Sequence, residues 1–171
     1  DPNQAMKDLM AVYGKTAVEI AKERGIADAS YNLAYSNSWS DIALGKQMSE
    51  SMIDEGADVM FVYANELGLG VISGAQEKGA KVVGYSSDQT QIDPDTVVAS
   101  IDFDYATMYV WAINEWLDGS LKGHQIVEVG VPEDIYFPVY TDNCPDEAKA
   151  ACDEAVAALK SGSVDLKALF D

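Results

Sequence analysis

Basic side chains are scarce in this sequence. Lysine and arginine together number 11 against 29 aspartates and glutamates, a formal net charge of −18 over 171 residues. That balance repels polyphosphate backbones and anionic lipid, so it argues against a nucleic-acid partner and against peripheral binding to a membrane surface. Histidine occurs once, as His124 in a Lys-Gly-His turn. A histidine-based metal site or a Ser/Cys-His pair would rest on that residue alone. Cysteine occurs twice, too few for a disulfide scaffold. With Pro145 as a first helical residue, helix geometry holds Cys144 and Cys152 about 12 Å apart along the axis, beyond disulfide reach. Cys152 is expected to pack as a small apolar residue and Cys144 to sit in a loop. No apolar run approaches the roughly 20 residues that cross a bilayer. The chain does not start with a basic region followed by an apolar one, so any export signal is expected outside these residues. GxSxG, HExxH, CxxC and P-loop motifs do not occur.

What is present is core material, 48% hydrophobic residues, in alternating helical and strand patterns. Met6, Leu9, Met10, Tyr13, Ala17, Ile20 and Ala21 recur at helical spacing up to a stop at Gly25. Residues 31–35 read as a strand, and Ser40 as the cap of a second helix with Trp39 and Leu44 as its hydrophobic staple. Further strands are expected at Val59 to Tyr63, Lys81 to Tyr85, Val97 to Phe103 and Ile126 to Val131. The helices between them run from Leu67 to Lys78, stopped by Gly79, and through Leu117 to Asp118-Gly119. The stretch with Tyr136, Phe137, Pro138 and Tyr140 reads as irregular. A last helix starts at Pro145, with a core face of Ala148, Ala151, Cys152, Ala155 and Leu159, and ends at Gly162. Strands alternating with helices imply an α/β fold with a parallel, three-layer sheet. The helix ending at Leu117 is apolar on most sides, through Met108, Tyr109, Val110, Trp111, Ile113 and Trp116. Such a helix needs packing on most sides.

In parallel sheets, ligands bind where loops leave the carboxyl ends of strands. Four such ends are legible: Ser36 to Trp39, Tyr63 to Glu66, Ser86 to Gln89, and Asp102 to Tyr105. Ser, Asn and Asp serve in any turn or cap, so one such loop says little. Four on one edge point to a small-molecule site. Gly68, Gly70 and Gly74 suggest a dinucleotide motif but lack the GxGxxG spacing, and Glu66 would oppose a pyrophosphate. They are expected instead to let their helix approach the sheet or a ligand closely. Glu66, Asp88, Asp102 and Asp104 lack the spacing of a cation loop, so no metal or other cofactor is expected.

The segment Ser36 to Gln89, SNSWSDIALGKQMSESMIDEGADVMFVYANELGLGVISGAQEKGAKVVGYSSDQ, resembles the basic membrane protein (Bmp) family. These are substrate-binding lipoproteins of ABC transporters and include purine nucleoside receptors. The family's aromatic-Ser-Asp-Pro-x-x-Gly-Lys, Gly-Ala-Asp-Val-Ile-Phe, Gly-x-Gly-Val-Ile and Gly-x-Asp-Ser-Asp-Gln blocks have counterparts here in the same order. The likeness continues more weakly through VVASIDFDYATMYVWAINEWLDG and the last helix ending KSGSVDL. It implies a type I periplasmic-binding fold of two Rossmann-like lobes joined by a hinge and closing over a ligand. On that comparison the N-terminal lobe precedes residue 1. Residues 1–101 form most of the second lobe. Residues 102–171 hold the hinge crossovers, a helix that packs on the first lobe, and the closing strand and helix. In nucleoside-binding members the first aspartate of the last block holds ribose hydroxyls; Ser86 stands there, while Asp88 and Gln89 match. Phe103 stands where members carry a lysine.

The expected function is therefore that of an exported, lipid-anchored or periplasmic solute-binding protein, not an enzyme. It would deliver a nucleoside-like, unphosphorylated ligand to an ABC transporter permease. Trp39, Phe61, Tyr63 and Phe103 supply aromatic surface for the ligand ring. Asn65, Ser86, Asp88, Gln89 and Asp102 supply hydrogen bonds. The second partner is the N-terminal lobe of the same protein or a second copy. The rival readings are a carbohydrate- or nucleotide-processing enzyme with Asp88 and Asp102 as paired carboxylates, and a ligand-sensing regulatory protein of the same fold.

Overall fold

The computed structural model describes residues 4–164. Its helices are α1 Gln4–Glu23, α2 Ile42–Asp54, α3 Leu67–Lys78, α4 Tyr105–Asp118 and α5 Asp146–Lys160, and its strands β1 Val59–Phe61, β2 Lys81–Tyr85, β3 Val97–Phe103 and β4 Tyr136–Tyr140. The strands form one sheet in the order β1-β2-β3-β4. The described chain divides into two compact units, residues 4–60 with 64–80, and residues 61–63 with 81–164. The expected helix start at residues 1–3 and the end of the KSGSVDL segment lie outside the described residues.

In the first unit, α1 ends as expected, with Gly25 in the left-handed region at φ +90°. Residues 31–35 are not a strand; the segment makes no ladder, and Tyr31 and Tyr35 stay exposed. Strand pattern alone does not make a strand where no neighbour offers its backbone. The cap of α2 is Asp41, not Ser40: its Oδ1 accepts from the Leu44 N–H at 3.0 Å. Ser38 Oγ accepts from the N–H of Ser40 at 3.4 Å and of Asp41 at 3.1 Å, which turns the chain one residue later than the pattern suggests. Trp39 then lies two residues before the cap, outside the staple position.

Helices α2 and α3 pack against each other through glycines. A Cβ on Gly70 would fall inside the contact distance of the Ile42 carbonyl oxygen and 2.8 Å from the Lys46 nitrogen. One on Gly74 would meet Ser49 Oγ, and one on Gly45 the Leu67 carbonyl. The glycines thus serve a helix-to-helix approach, which corrects the expectation that they face sheet or ligand. Ion pairs Lys46–Glu77 at 2.5 Å and Lys78–Asp54 at 2.6 Å span the exposed side of the same helix pair. Gly79 at φ +80° stops α3 as expected.

In the second unit, β2 and β3 pair in parallel, from Val82 opposite Val97 to Tyr85 opposite Ile101. β4 runs antiparallel to β3, with Tyr136 opposite Phe103 and Pro138 opposite Ile101. The all-parallel expectation is therefore corrected to a mixed sheet, and the stretch taken as irregular is a strand. Proline is tolerated there because β4 is the edge of the sheet. Segment 126–131 is not a strand, and Ile126 is 99% exposed. Its end is occupied by a turn in which Gly130 N–H donates to Glu133 Oε2 at 2.7 Å and Ile135 N–H to the Gly130 carbonyl at 3.0 Å. That turn places Ile135, fully buried, just before β4.

Helix α4 is amphipathic the wrong way round for a surface helix. Thr107, Met108, Trp111, Ala112 and Glu115 share its half-buried side, while Tyr109, Val110, Ile113, Trp116 and Leu117 face outward. Trp116 is 67% and Leu117 68% exposed. The half-buried face of α5 is made by Lys149, Ala151, Cys152, Val156 and Leu159, leaving Ala148 and Ala155 exposed. The cysteines are both free: Cys144 sits in the turn before α5, as expected, though buried there, and Cys152 is half-buried on α5.

Candidate ligand-binding site

The carboxyl end of β2 is extended by a loop that β3 holds in place. Tyr85 ends the strand, and Ser86 enters the left-handed region at φ +73° while its N–H still donates to the Ile101 carbonyl at 2.9 Å. A non-glycine residue in that region is strained unless its surroundings fix it. The fixing group is Ser100, 1% exposed, in the middle of β3. Its Oγ donates to the Ser87 carbonyl at 2.7 Å and accepts from the Gln89 N–H at 3.2 Å. Gly84, opposite Ser100, makes room for this, since a Cβ there would lie 2.6 Å from Ser100 Oγ and 2.8 Å from Gln89 Oε1. The loop closes on itself as well. Asp88 Oδ1 accepts from Thr90 N–H at 2.9 Å and from Thr90 Oγ1 at 2.5 Å, and Thr90 is buried. Gln89 Oε1 is buried without a hydrogen-bond partner.

The end of β3 has its own fixed carboxylates. Asp102 Oδ1 accepts from Phe103 N–H at 2.8 Å. Asp104 caps α4, with Oδ1 on Thr107 N–H at 2.9 Å and Oδ2 on Thr107 Oγ1 at 2.7 Å. These two bonds from Thr107 hold the Asp104 carboxyl below its usual range. Each of Asp88, Asp102 and Asp104 therefore commits at least one oxygen to its own turn or cap.

Aromatic rings gather across the same strand ends of this unit. Tyr85 lies 5.7 Å from Phe61 and 4.8 Å from Tyr63, centroid to centroid, and 6.3 Å from Tyr136. Phe103 lies 4.6 Å from Tyr136 and 4.0 Å from Tyr105. Their planes meet at 21° to 74°, so the rings form angled walls rather than one stack. None of the six is buried. The Tyr85 phenol is pushed well above its usual pKa by burial first, then by its hydrogen bond with Tyr136.

The structure thus brings Phe61, Tyr63 and Phe103 into one ring cluster and Ser86, Asp88 and Gln89 onto one loop. Asp102 is opposite Phe137, one residue from Phe103, so strand alternation puts it on the other face of the sheet from the rings. Trp39 and Asn65 belong to the first unit, where the Trp39 carbonyl accepts from Leu67 N–H at 3.1 Å and the Asn65 carbonyl from Gly68 N–H at 2.9 Å. Sequence reasoning missed Tyr85, Tyr105 and Tyr136. Tyr85 and Tyr105 stood at strand ends already singled out. Tyr136 became visible only once Tyr136–Tyr140 was a strand.

The sequence profile described as ABC transporter substrate-binding protein, PnrA-like (Bmp), matches residues 23–148. A purine-binding protein of Brucella abortus is 26% identical over 138 residues, which cover 81% of this chain and 39% of that protein. Among solved structures, a transcriptional activator of the comK gene from Bacillus halodurans superposes with a TM-score of 0.68 at 16% identity, over 77% of this chain and 47% of that one. An ABC transporter solute-binding protein from Aeropyrum pernix superposes at 0.62 with 18% identity, over 77% and 46%. The α/β fold expected from the sequence is the fold of these solute-binding proteins. The chain spans about two-fifths of the length of the curated relative and about half of each solved chain.

Proposed function

Since this chain belongs to the Bmp family of PnrA-like ABC transporter substrate-binding proteins, we propose that it forms one wall of a site for a nucleoside-like, unphosphorylated ligand. The observation that carries this reading is the meeting of six half-exposed or exposed aromatic rings with a preformed polar loop at the same strand ends. The rings offer stacking surface to a flat heterocycle. The loop offers hydroxyls at Ser86 and Ser87 and an acceptor at Asp88 Oδ2, since Oδ1 serves the loop itself. A phosphate at these strand ends would meet Asp88, Asp102 and Asp104 with no basic partner, and burying such an unpaired charge costs several kcal/mol.

The protein acts by binding, without a catalytic step or cofactor, and hands its ligand to an ABC transporter permease outside the cytoplasm, held there by a lipid anchor or within the periplasm. The outward apolar face of α4 is covered by a second lobe of the same protein, or by a second copy, which closes over the ligand. A second reading, a ligand-sensing regulator, is favoured by the likeness in fold to the transcriptional activator of Bacillus halodurans. Mass spectrometry of small molecules released on denaturing the intact protein tests the assignment. A nucleoside is expected; a phosphorylated compound, or turnover of the released molecule by the refolded protein, would overturn it. Export to the cell surface separates transport from sensing.

A further inference from the structure

The strand-end segments that carry the rings, residues 61–66, 85–90 and 102–105 with Tyr136, contain no lysine or arginine of their own. Among the described residues of the second unit the lysines are Lys81, Lys122, Lys149 and Lys160. Lys81, at the opposite end of β2 from Tyr85, donates to the Asp95 carbonyl at 2.8 Å, and Lys149 and Lys160 on α5 pair with Asp146 and Asp134. Lys122 belongs to the turn after α4. The residues that continue the ring-bearing strands are instead Asp88 and Asp104, both fixed in place by hydrogen bonds to Thr90 and Thr107.

Six aromatic rings inclined to one another present π faces and edges in several directions, which differs from a flat stack. An aromatic face carries the negative lobe of the ring quadrupole, so it attracts a cation placed over it. Four of the six rings are tyrosines, Tyr63, Tyr85, Tyr105 and Tyr136, whose hydroxyls are close enough to influence the Tyr85 phenol.

We infer that this ring cluster selects its ligand by charge, binding a heterocycle with a delocalised positive charge more tightly than its neutral parent. The inference rests on the nucleoside-like reading above and goes further, because stacking alone makes no distinction between the two. Delocalisation matters: a spread charge is weakly hydrated and loses little on leaving water, whereas a compact ammonium is strongly hydrated.

The test is calorimetry on the intact protein with two pairs of probes, adenosine against 1-methyladenosine and cytidine against 3-methylcytidine, at mildly acidic pH where the methylated rings are cationic. The methylated member of each pair is expected to bind about five- to thirtyfold more tightly. The preference should survive high salt, which screens the general attraction of an acidic protein for cations. Tyr85→Phe should keep it, because the ring remains, and Tyr85→Leu should lose most of it. Equal or tighter binding of the neutral members overturns charge selection and leaves the nucleoside reading standing. A preference that disappears at high salt overturns the role of the rings. Failure of all four probes to bind overturns both readings.

Discussion

Ser100→Ala is the substitution whose effect can be worked most directly from the site. Ser100 is 1% exposed, and its hydroxyl makes the bonds that join β3 to the loop after β2. Removing the oxygen leaves the volume nearly unchanged but deletes one bond donated to the Ser87 carbonyl and one accepted from the Gln89 N–H. Each is worth about 1 kcal/mol net, and an orphaned buried partner adds to the loss. Ser87 is exposed, so its carbonyl can turn to water, which keeps the total near about 2 to 3 kcal/mol. At about 2 to 4 °C per kcal/mol for a domain of this size, Tm should fall by about 4 to 12 °C. The loop should also lose the constraint that holds Ser86 at φ +73°, so binding of the released nucleoside should weaken as well. Urea unfolding with an unchanged slope, together with calorimetry, separates the two effects. A variant as stable as the parent and with undiminished affinity would refute the claim that Ser100 positions this loop.

Gly70→Ala should destabilise by about 2 kcal/mol or more, although alanine is the better helix former by about 1 kcal/mol, because its Cβ meets backbone atoms of α2 that cannot move aside; a gain in urea midpoint would contradict the α2–α3 packing. Asp88→Asn keeps an oxygen for Thr90 but removes the charge, so affinity for the nucleoside should drop about tenfold while the melt is nearly unchanged; unaltered calorimetric affinity would move the ligand away from this loop. Asp104 has a depressed pKa in the folded state, so its contribution is present above the unfolded carboxylate pKa and is lost as pH falls through the folded one. Asp104→Asn, which still caps α4, should flatten the acid limb of a stability-against-pH curve relative to the parent, and an identical acid limb would show that the cap charge is immaterial. Polar replacement of Trp116 and Leu117 should leave helix content alone but loosen whatever covers α4; proteolysis of the intact protein at unchanged rate would argue against that cover.

The sequence by itself determined the elements whose signals are local. β2, β3 and α3 have the expected boundaries, and Gly25, Gly79 and Gly119 stop their helices with positive φ, because a glycine after an apolar period needs no distant partner. It also determined the family, through ordered blocks between Ser36 and Gln89, and the loops at the strand ends where the rings and the Ser86–Gln89 hydrogen bonds are found. Only the tertiary structure decided the rest. Residues 31–35 and 126–131 carry strand patterns, yet a strand exists only where a neighbour accepts its backbone, whereas Tyr136–Tyr140, with a proline inside, pairs with β3 because it lies at the edge. The cap of α2 moved to Asp41 because Ser38 took the preceding N–H groups, and the glycines of α3 were claimed by α2. The meeting of Tyr85 with Tyr136, 51 positions apart, likewise depends on strand order and register, which are non-local quantities that no window of sequence contains.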